Sequence, residues 1–413
     1  MNPYLIFILA VLILGYLLNL VVAILELRCL DPELPSEFSD VYSPKKYRQS
    51  QSYTRVNTRF SLVQETLMLV VIITFILAGG FNQVDLMARG FGLGPIPTGL
   101  LFTGILALLS TIIGLPFSLY STFVIEERFG FNTTTLKTFL LDLLKSVILA
   151  LCIGGPLLAA VLWFFQVAGN PAWFYCWLAV TGFILILQFL APVLIMPLFN
   201  KFTPLEDGEL KKSITDYAQV QQFAIKGIYT MDGSKRSTRL NAFFTGFGRF
   251  RRIVFFDTLV DKLNTDEIVA VLAHEMGHFK HKHIFKMMAA SILQMGIMFY
   301  ILSLFLGNQQ LFAAFGMEHI SIYGSLFFFG FLYAPVSTLL SIFFNLFSRK
   351  NEYEADAWAV TSTGRVQGLI NGLKKLSVHN LSNLTPHPFN VFLNYSHPPV
   401  LQRIRAIQQL EKT

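Results

Sequence analysis

Charged residues are scarce in this sequence. Asp, Glu, Lys and Arg make up 14% of the 413 residues, whereas 54% are hydrophobic; an ordinary soluble domain carries roughly 25% charged residues. That balance excludes a typical soluble protein. Cysteine is also rare: Cys29, Cys152 and Cys176 lie in or beside hydrophobic segments, so neither a disulfide framework nor a cysteine-based metal site is predicted. No internal repeat or low-complexity tract is found in the sequence.

Long hydrophobic runs dominate the chain instead. Seven segments have the roughly 20 apolar residues needed to cross a bilayer, at about 3–27, 62–81, 97–120, 146–168, 172–198, 286–306 and 321–347. The first lacks the basic start and small-residue end of a secretory signal, so we interpret it as a retained span. The sequence therefore predicts a multi-pass membrane protein.

Lys and Arg are distributed unevenly over the loops. They concentrate in the first, third and fifth loops and in the tail after residue 347. Because basic residues accumulate on the cytoplasmic side of membranes, we expect these loops and the tail inside and the N-terminus outside. The formal net charge of +7 is then explained by surfaces that face anionic lipid, and no nucleic-acid partner is predicted.

The polar part of the chain has its own secondary-structure signals. After a polar, proline-punctuated loop at 31–60, the pattern predicts a helix at 203–223, strands within 225–232, 240–248 and 251–259, and a helix at 264–281 capped by Asn264 together with Glu267. The polar stretches 199–285 and 348–413 are together expected to form one cytoplasmic domain.

The predicted fold class is an all-α integral membrane protein with seven transmembrane helices plus a small α+β cytoplasmic domain built from loop five and the C-terminal tail. Four regions follow from this organisation. They are spans one to five (1–198), the polar region with the predicted helix at 264–281 (199–285), spans six and seven (286–347), and the C-terminal part of the polar domain (348–413).

A metal-binding motif lies in the predicted helix at 264–281. Residues 274–278 read HEMGH, and residues four apart lie on one face of a helix, so His274 and His278 can present two imidazoles to one ion. Glu275 is suited to accept a proton from a metal-bound water. Two nitrogens and a carboxylate suit zinc and leave a fourth position open, so one zinc ion is predicted.

A third ligand is expected just after the seventh span. Glu352 and Asp356 are again four residues apart, whereas Glu354 points about 200° away around the helix and is the weaker candidate. A polar stripe, Ser337, Ser341, Asn345 and Ser348, leads down the span towards them, which is typical of a helix face turned to the bundle interior or to water. This arrangement predicts a metal near the cytoplasmic face and a substrate partly within the membrane.

Several motifs together resemble a known family. The chain resembles the type I CAAX prenyl endopeptidases, integral-membrane zinc proteases of the a-factor-converting type, from its first span to its tail. The motifs that carry the resemblance are IEERFGFN (125–132), APVLIMPLFNKFTPL (191–205), LNAFFTGFG (240–248), HEMGHFKHKH (274–283), NEYEAD (351–356) and YSHPPVLQRI (395–404).

The resemblance implies roles for individual residues. It implies that His274, His278 and Glu352 bind zinc and that Glu275 is the general base. Asp356 would orient a zinc-bound histidine, and Asn241 would lie near the substrate beside a strand edge.

For the residues after the third ligand, the resemblance implies a catalytic role. His397 and Arg403 would polarise the scissile carbonyl or hold the site together. It further implies a water-filled chamber within the seven helices and removal of three terminal residues after a prenylated cysteine.

Other features are interpreted more simply. His281, His283, His379 and His387 are expected to be surface histidines, and IEERFGFN is expected to brace the protease region by ion pairs. The expected partners are membrane lipid and a peptide or protein with a lipidated or membrane-associated C-terminus, in an endoplasmic-reticulum or prokaryotic inner membrane.

Two alternative functions remain open at this point. The first is a membrane-protein quality-control zinc protease of the heat-shock type. The second, from another class, is a seven-span transporter or receptor that carries a relic of the site.

Overall fold

A computed structural model describes residues 2–31, 33–246 and 251–411. Among these residues, seven helices are long and apolar enough to cross a membrane. Each overlaps a predicted span, which confirms a mostly helical membrane protein with seven candidate spans. The spans are Pro3–Arg28, Pro44–Leu77, Pro95–Glu126, Leu136–Val167, Ala172–Phe199, His283–Phe305 and Ile322–Thr363.

Short π-helical stretches at Ser121–Glu126, Ala150–Gly154 and Ala191–Ile195 continue or join some of these spans. The α-helices in chain order are α1 Pro3–Arg28, α2 Pro44–Leu77, α3 Gly80–Arg89, α4 Pro95–Tyr120, α5 Leu136–Leu149, α6 Gly155–Val167, α7 Ala172–Leu190, α8 Met196–Phe199, α9 Glu209–Val220, α10 Asp257–Val260, α11 Thr265–Lys280, α12 His283–Phe305, α13 Gln309–Ala314, α14 Ile322–Thr363, α15 Val366–His379, α16 Pro388–Asn394 and α17 Val400–Leu410.

Two helices are longer than their apolar runs. Helix α2 begins at Pro44, so the predicted loop at 31–60 is wrong for its second half, where Pro occupies the first helical turn and does not break the helix. Helix α14 continues without interruption to Thr363 and ends at Gly364 in the left-handed conformation. The span and the NEYEAD motif therefore form one rigid rod.

A small mixed sheet supports the polar part of the chain. Its strands are β1 Phe202–Pro204, β2 Gly227–Met231, β3 Ala242–Thr245 and β4 Arg252–Phe256, in the order β1-β2-β4-β3. Strands β2 and β4 are parallel, and the other pairs are antiparallel. The last three strands were predicted, and β3 lies at one edge of the sheet.

The predicted helix at 203–223 is wrong at its start. Strand β1 includes Pro204, and α9 begins only at Glu209. Proline restricts its preceding residue to extended conformations, and Gly208 separates the strand from the helix. The motif helix α11 matches its prediction, including the reciprocal hydrogen bonds between Asn264 and Glu267.

Helix α11 is buried on two sides. One side packs against the sheet, in a core that includes Ile268, Leu272, Met276, Ile253 and Phe255. The other packs against α15 and α17, through Ala270, Ala273, Leu369, Ile370, Ile404 and Ile407. Because both sides are covered by a packed core, the side chains of α11 that face α14 have fixed positions.

The polar region is tied to the membrane helices by specific contacts. Arg239 pairs with Glu126 of IEERFGFN at 2.9 Å, which confirms the predicted ion-pair brace. At the end of α1, the buried Glu26 carboxylate accepts hydrogen bonds from Asn383 Nδ2 at 2.6 Å and from His387 N at 2.9 Å. These contacts join the polar region to the transmembrane bundle.

Candidate metal centre

Helices α11 and α14 approach each other closely at Gly277. A Cβ added there would lie 3.0 Å from Ala355 Cα and 3.1 Å from Ala355 O. Such distances are shorter than ordinary carbon contacts, so glycine is required for this spacing. The close approach sets the side chains of α11 directly against those of α14.

Replacing Gly277 with Val is expected to destabilise the protein by about 1–3 kcal/mol, because overpacking at a backbone contact forces the two helices apart. Thermal unfolding of the purified protein measures this. Gly330→Val in α14 is the matched control, since a Cβ at Gly330 would meet no atom within 4 Å. Equal effects of the two changes would contradict the role of Gly277 in helix spacing.

The close approach brings three donors together. His274 Nε2 lies 3.2 Å from His278 Nε2 and 3.5 Å from Glu352 Oε2, and His278 Nε2 lies 3.2 Å from Glu352 Oε1. Ligands about 2.0–2.1 Å from a tetrahedral ion lie about 3.3 Å from one another. The two nitrogens and the carboxylate therefore have the chemistry and spacing to hold a metal ion, and Glu352 and His274 are buried.

A buried charge network lies behind these donors. Asp356 Oδ1 lies 2.9 Å from His274 Nδ1, and Arg403 donates to both Asp356 oxygens, from Nε at 2.8 Å and from Nη2 at 2.6 Å. Arg403 Nη1 is also 3.1 Å from Glu352 Oε2. Asp356 thus orients His274 so that Nε2 points at the cluster, and Arg403 holds the two carboxylates.

These contacts shift the titration of the groups in the network. Burial and Arg403 disfavour protonation of His274, but Asp356 and Glu352 outweigh both and raise the pKa of His274 to about 9. Burial likewise opposes the charge on Arg403, yet the two carboxylates raise the pKa of Arg403 above its ordinary value. The guanidinium is therefore a permanent positive charge in this network.

Replacing Arg403 with Met is expected to lower the free energy of unfolding by about 3–5 kcal/mol, because it leaves buried carboxylates unpaired. Chemical denaturation in detergent measures the change. Arg405, on the same helix, pairs with Glu37 at a more exposed position, so Arg405→Ala should cost less than about 1 kcal/mol. Wild-type stability of Arg403→Met would contradict the holding role.

Glu275 is half-buried next to a cavity of about 540 Å³. The cavity is lined by Glu275 and His278 together with residues of β3 and apolar side chains, including Phe243, Phe244, Thr245, Phe223, Phe279 and Ile284. A carboxylate thus lies at the wall of a largely apolar cavity that runs along the sheet edge.

Two further residues predicted for the site have different surroundings. His397 is 66% exposed and places Nε2 3.2 Å from Glu352 Oε1, so it lies at the open side of the cluster. Asn241 directly precedes β3, and its side-chain oxygen accepts the Ala242 N–H at 2.9 Å. Within the described chain, the β3 residues that line the 540 Å³ cavity are Phe243, Phe244 and Thr245, and Asn241 is not among the lining residues.

The expectation for His283 is wrong, because this residue is buried beside the cluster, whereas His281 is exposed as predicted. Its Nε2 lies 3.0 Å from Glu354 Oε2. Lys282 has a φ of 58°, which ends α11 and starts α12 in a new direction. Helical periodicity could not reveal this turn; the only signal was the repeated histidine in HFKHKH.

His379 and His387 are half-buried and lie outside the metal cluster. His387 accepts the Phe389 N–H at 3.1 Å and so caps α16. Along the polar stripe of α14, Asn345 donates to the Leu393 carbonyl of α16 at 2.9 Å, and Ser348 lines a cavity that His278 also lines.

The seven spans are joined to a helix with the HExxH motif, and Glu352 adds an acidic third donor. Together these features define a membrane metallopeptidase. Comparison with known families agrees. Residues 24–201 match the family described as CAAX prenyl protease N-terminal, five membrane helices, and residues 204–411 match peptidase family M48. The chain belongs to the M48 family of peptidases, which confirms the resemblance found in the sequence and excludes the transporter or receptor alternative.

Individual proteins are similar over nearly their whole length. CAAX prenyl protease 1 of Saccharomyces cerevisiae is 36% identical over 92% of this chain and 90% of its own. The human CAAX prenyl protease 1 homolog is 32% identical over 92% of this chain and 89% of its own. The crystal structure of S. mikatae Ste24p superimposes with a TM-score of 0.94 at 34% identity, covering 98% of this chain and 99% of that one.

Proposed function

We propose that this protein is a zinc-dependent CAAX prenyl protease that removes the C-terminal residues following a prenylated cysteine. The observation that carries the proposal is the convergence of His274, His278 and Glu352 beside a cavity that Glu275 lines. The similar proteins named above, which carry the name CAAX prenyl protease, supply the substrate class.

The donor set supports zinc as the metal. Two imidazole nitrogens with one carboxylate suit this borderline-soft ion and leave one coordination position open. When bound, the ion supplies Lewis-acid activation of water and of the substrate carbonyl. Of the two acidic candidates, Glu352 is proposed as the third ligand because Glu354 pairs with His283 instead.

The residues around the metal position have separate tasks. Glu275 accepts the proton of the attacking water and later passes it to the leaving amine. His397, exposed at the open side of the cluster, hydrogen-bonds to the scissile carbonyl oxygen. Arg403 is occupied by Asp356 and Glu352, so it holds the site together and does not reach the substrate.

The edge strand β3 is the proposed substrate platform. It pairs with β4 on one side, and its other edge can pair with an extended peptide through main-chain hydrogen bonds. Asn241, immediately before the strand, would contact one end of that peptide. The cavity beside Glu275 is lined mainly by apolar side chains, which suits a lipidated substrate.

The proposed site lies on the cytoplasmic side of a multi-pass membrane protein. The concentration of Lys and Arg in loops one, three and five and in the tail supports this orientation. The endoplasmic reticulum or a prokaryotic inner membrane is the proposed compartment, with membrane lipid and a membrane-associated C-terminus as partners.

Cleavage of one CAAX peptide, farnesylated and unfarnesylated, by the detergent-purified protein tests the function. We expect cleavage after the cysteine that depends on the farnesyl group, and loss of cleavage with a zinc chelator or with Glu275→Gln. Equal cleavage of both peptides would favour the quality-control protease over the prenyl protease. No cleavage of either peptide by the metal-loaded protein would overturn the proposed substrate class.

A further inference from the structure

Both ring nitrogens of His278 have polar contacts. Its Nε2 faces the metal cluster, 3.2 Å from Glu352 Oε1. Its Nδ1 faces away from the cluster and lies 3.1 Å from Nδ1 of His283. The other nitrogen of His283, Nε2, lies 3.0 Å from Glu354 Oε2. A continuous chain of two imidazoles therefore runs from the metal cluster to a carboxylate.

One arrangement of protons satisfies every contact in this chain with two neutral rings. An ionised carboxylate can only accept, so His283 Nε2 donates to Glu354. The neutral ring of His283 then has an unprotonated Nδ1, which accepts from Nδ1–H of His278. His278 consequently carries its proton on Nδ1 and presents the lone pair of Nε2 to the cluster, which is the form that binds a metal.

We propose that His283 and Glu354 are positioning residues that fix the tautomer and ring orientation of His278 for metal binding. The inference rests on the proposed metal centre and goes beyond its three ligands. It makes the two histidine ligands alike: Asp356 accepts from Nδ1 of His274 directly, whereas Glu354 acts on His278 through one intervening ring. Partners of this kind orient ligands and raise their basicity.

Burial and backbone geometry support a fixed role for His283. The residue is 2% exposed at the first position of α12, and the turn at Lys282 brings its ring back against α11 and α14. Glu354 is partly exposed and also lies 3.7 Å from Lys350 Nζ. Glu354 can therefore remain ionised at the outer end of the chain while His283 is shielded from solvent.

The same residues allow a competing assignment. His281, His283 and Glu354 have donor atoms within 4.8 Å of one another, so they could hold a second cation. A cation bound to either ring nitrogen of His283 would replace the hydrogen bond that this nitrogen shares, with Glu354 at Nε2 or with His278 at Nδ1. The hydrogen-bonded chain is favoured because it also accounts for the 3.1 Å contact with His278, which a second cation does not need.

Zinc affinity measured by chelator competition tests the proposal independently of activity. We expect His283→Ala and Glu354→Ala each to weaken zinc binding by about 10- to 100-fold, the range seen when partners of metal ligands are removed. His283→Asn should recover part of the loss, because its side-chain oxygen can accept from His278 Nδ1–H. Glu354→Gln should do likewise through its amide oxygen. The matched controls His281→Ala and Lys350→Ala should bind zinc as the wild type does.

The double variant gives the sharper test. If Glu354 acts through His283, then Glu354→Ala should add little to the loss already caused by His283→Ala, whereas independent effects would multiply. Circular dichroism and gel filtration check folding, and the Glu354 variants serve if His283→Ala does not fold.

Three results would overturn the proposal. Wild-type affinity in folded His283→Ala and Glu354→Ala would refute the positioning role and leave the proposed protease intact. Two zinc ions per wild-type chain, reduced to one by His281→Ala, would establish the second cation site instead. A folded wild-type protein that binds no zinc would refute the proposed metal centre as well.

Discussion

Replacing Glu275 with Gln is expected to lower peptidase turnover by about 10²- to 10⁴-fold, the range for loss of general acid–base catalysis. Gln keeps the size of the side chain but cannot accept the proton of an attacking water. Because Glu275 is not one of the three converging donors, the variant should retain its metal. Turnover of a farnesylated peptide and metal content are measured on the same preparation.

The matched control for Glu275 is another acidic residue of the same helix. Asp266 lies in the first turn of α11, is largely exposed and pairs with Arg365, so Asp266→Asn should leave turnover within a few fold of the wild type, in line with the small energies of exposed ion pairs. Full activity of Glu275→Gln would show that another group accepts the proton. Loss of metal from that variant would show that Glu275 is itself a ligand.

Replacing Glu352 with Ala should weaken metal binding by more than about 100-fold. Loss of a residue that only hydrogen-bonds to a metal ligand costs roughly 10- to 100-fold in affinity, and Glu352 is itself a proposed ligand. The change removes one of three donors and leaves Arg403 without one of its two buried carboxylate partners. Peptidase activity should fall with metal content. Metal retained after dialysis, compared with the wild-type value, measures the effect.

Glu354→Ala is the internal comparison for Glu352→Ala, because the two residues lie two positions apart on one helix. Their side chains face different histidines, Glu352 towards His274 and His278 and Glu354 towards His283. Glu354→Ala should therefore have the smaller effect. A larger loss of metal from Glu354→Ala would contradict the ligand assignment.

The sequence predicts those parts of the site that depend on one regular helix. The spacing of His274 and His278 sets both rings on one face of α11, and the 200° offset separates Glu354 from Glu352 because α14 stays helical through this region. The seven apolar runs likewise define the spans. In each case, the prediction depends on a local periodicity of the sequence, and the residues concerned are helical in the structure.

Features that depend on turns, or on packing between segments far apart in the sequence, cannot be predicted from a local periodicity. The left-handed turn at Lys282 buries His283, although histidine in a basic run is usually a surface residue. The sequence locates Gly277 within the motif, but only the packing of α11 against Ala355 explains it. Strand β1 is three residues long and contains Pro204, so its sequence is too short to show the alternating pattern that predicts a strand.

The coupling of the protease region to the membrane also requires the tertiary structure. Glu26 at the end of the first span accepts hydrogen bonds from Asn383 and His387, more than 350 positions later in the sequence. The α14 rod carries both the seventh span and Glu352. The proposed metal centre is therefore built on the transmembrane helices and is not an independent appendage.

X-ray diffraction above and below the zinc absorption edge tests the central claim most directly. Crystals of the active, detergent-purified protein are expected to show one anomalous peak about 2.0–2.2 Å from His274 Nε2, His278 Nε2 and a Glu352 oxygen. A peak between His281, His283 and Glu354, with none at the first position, would contradict the assignment of the catalytic metal. Active crystals without any zinc signal would contradict the zinc-dependent mechanism itself.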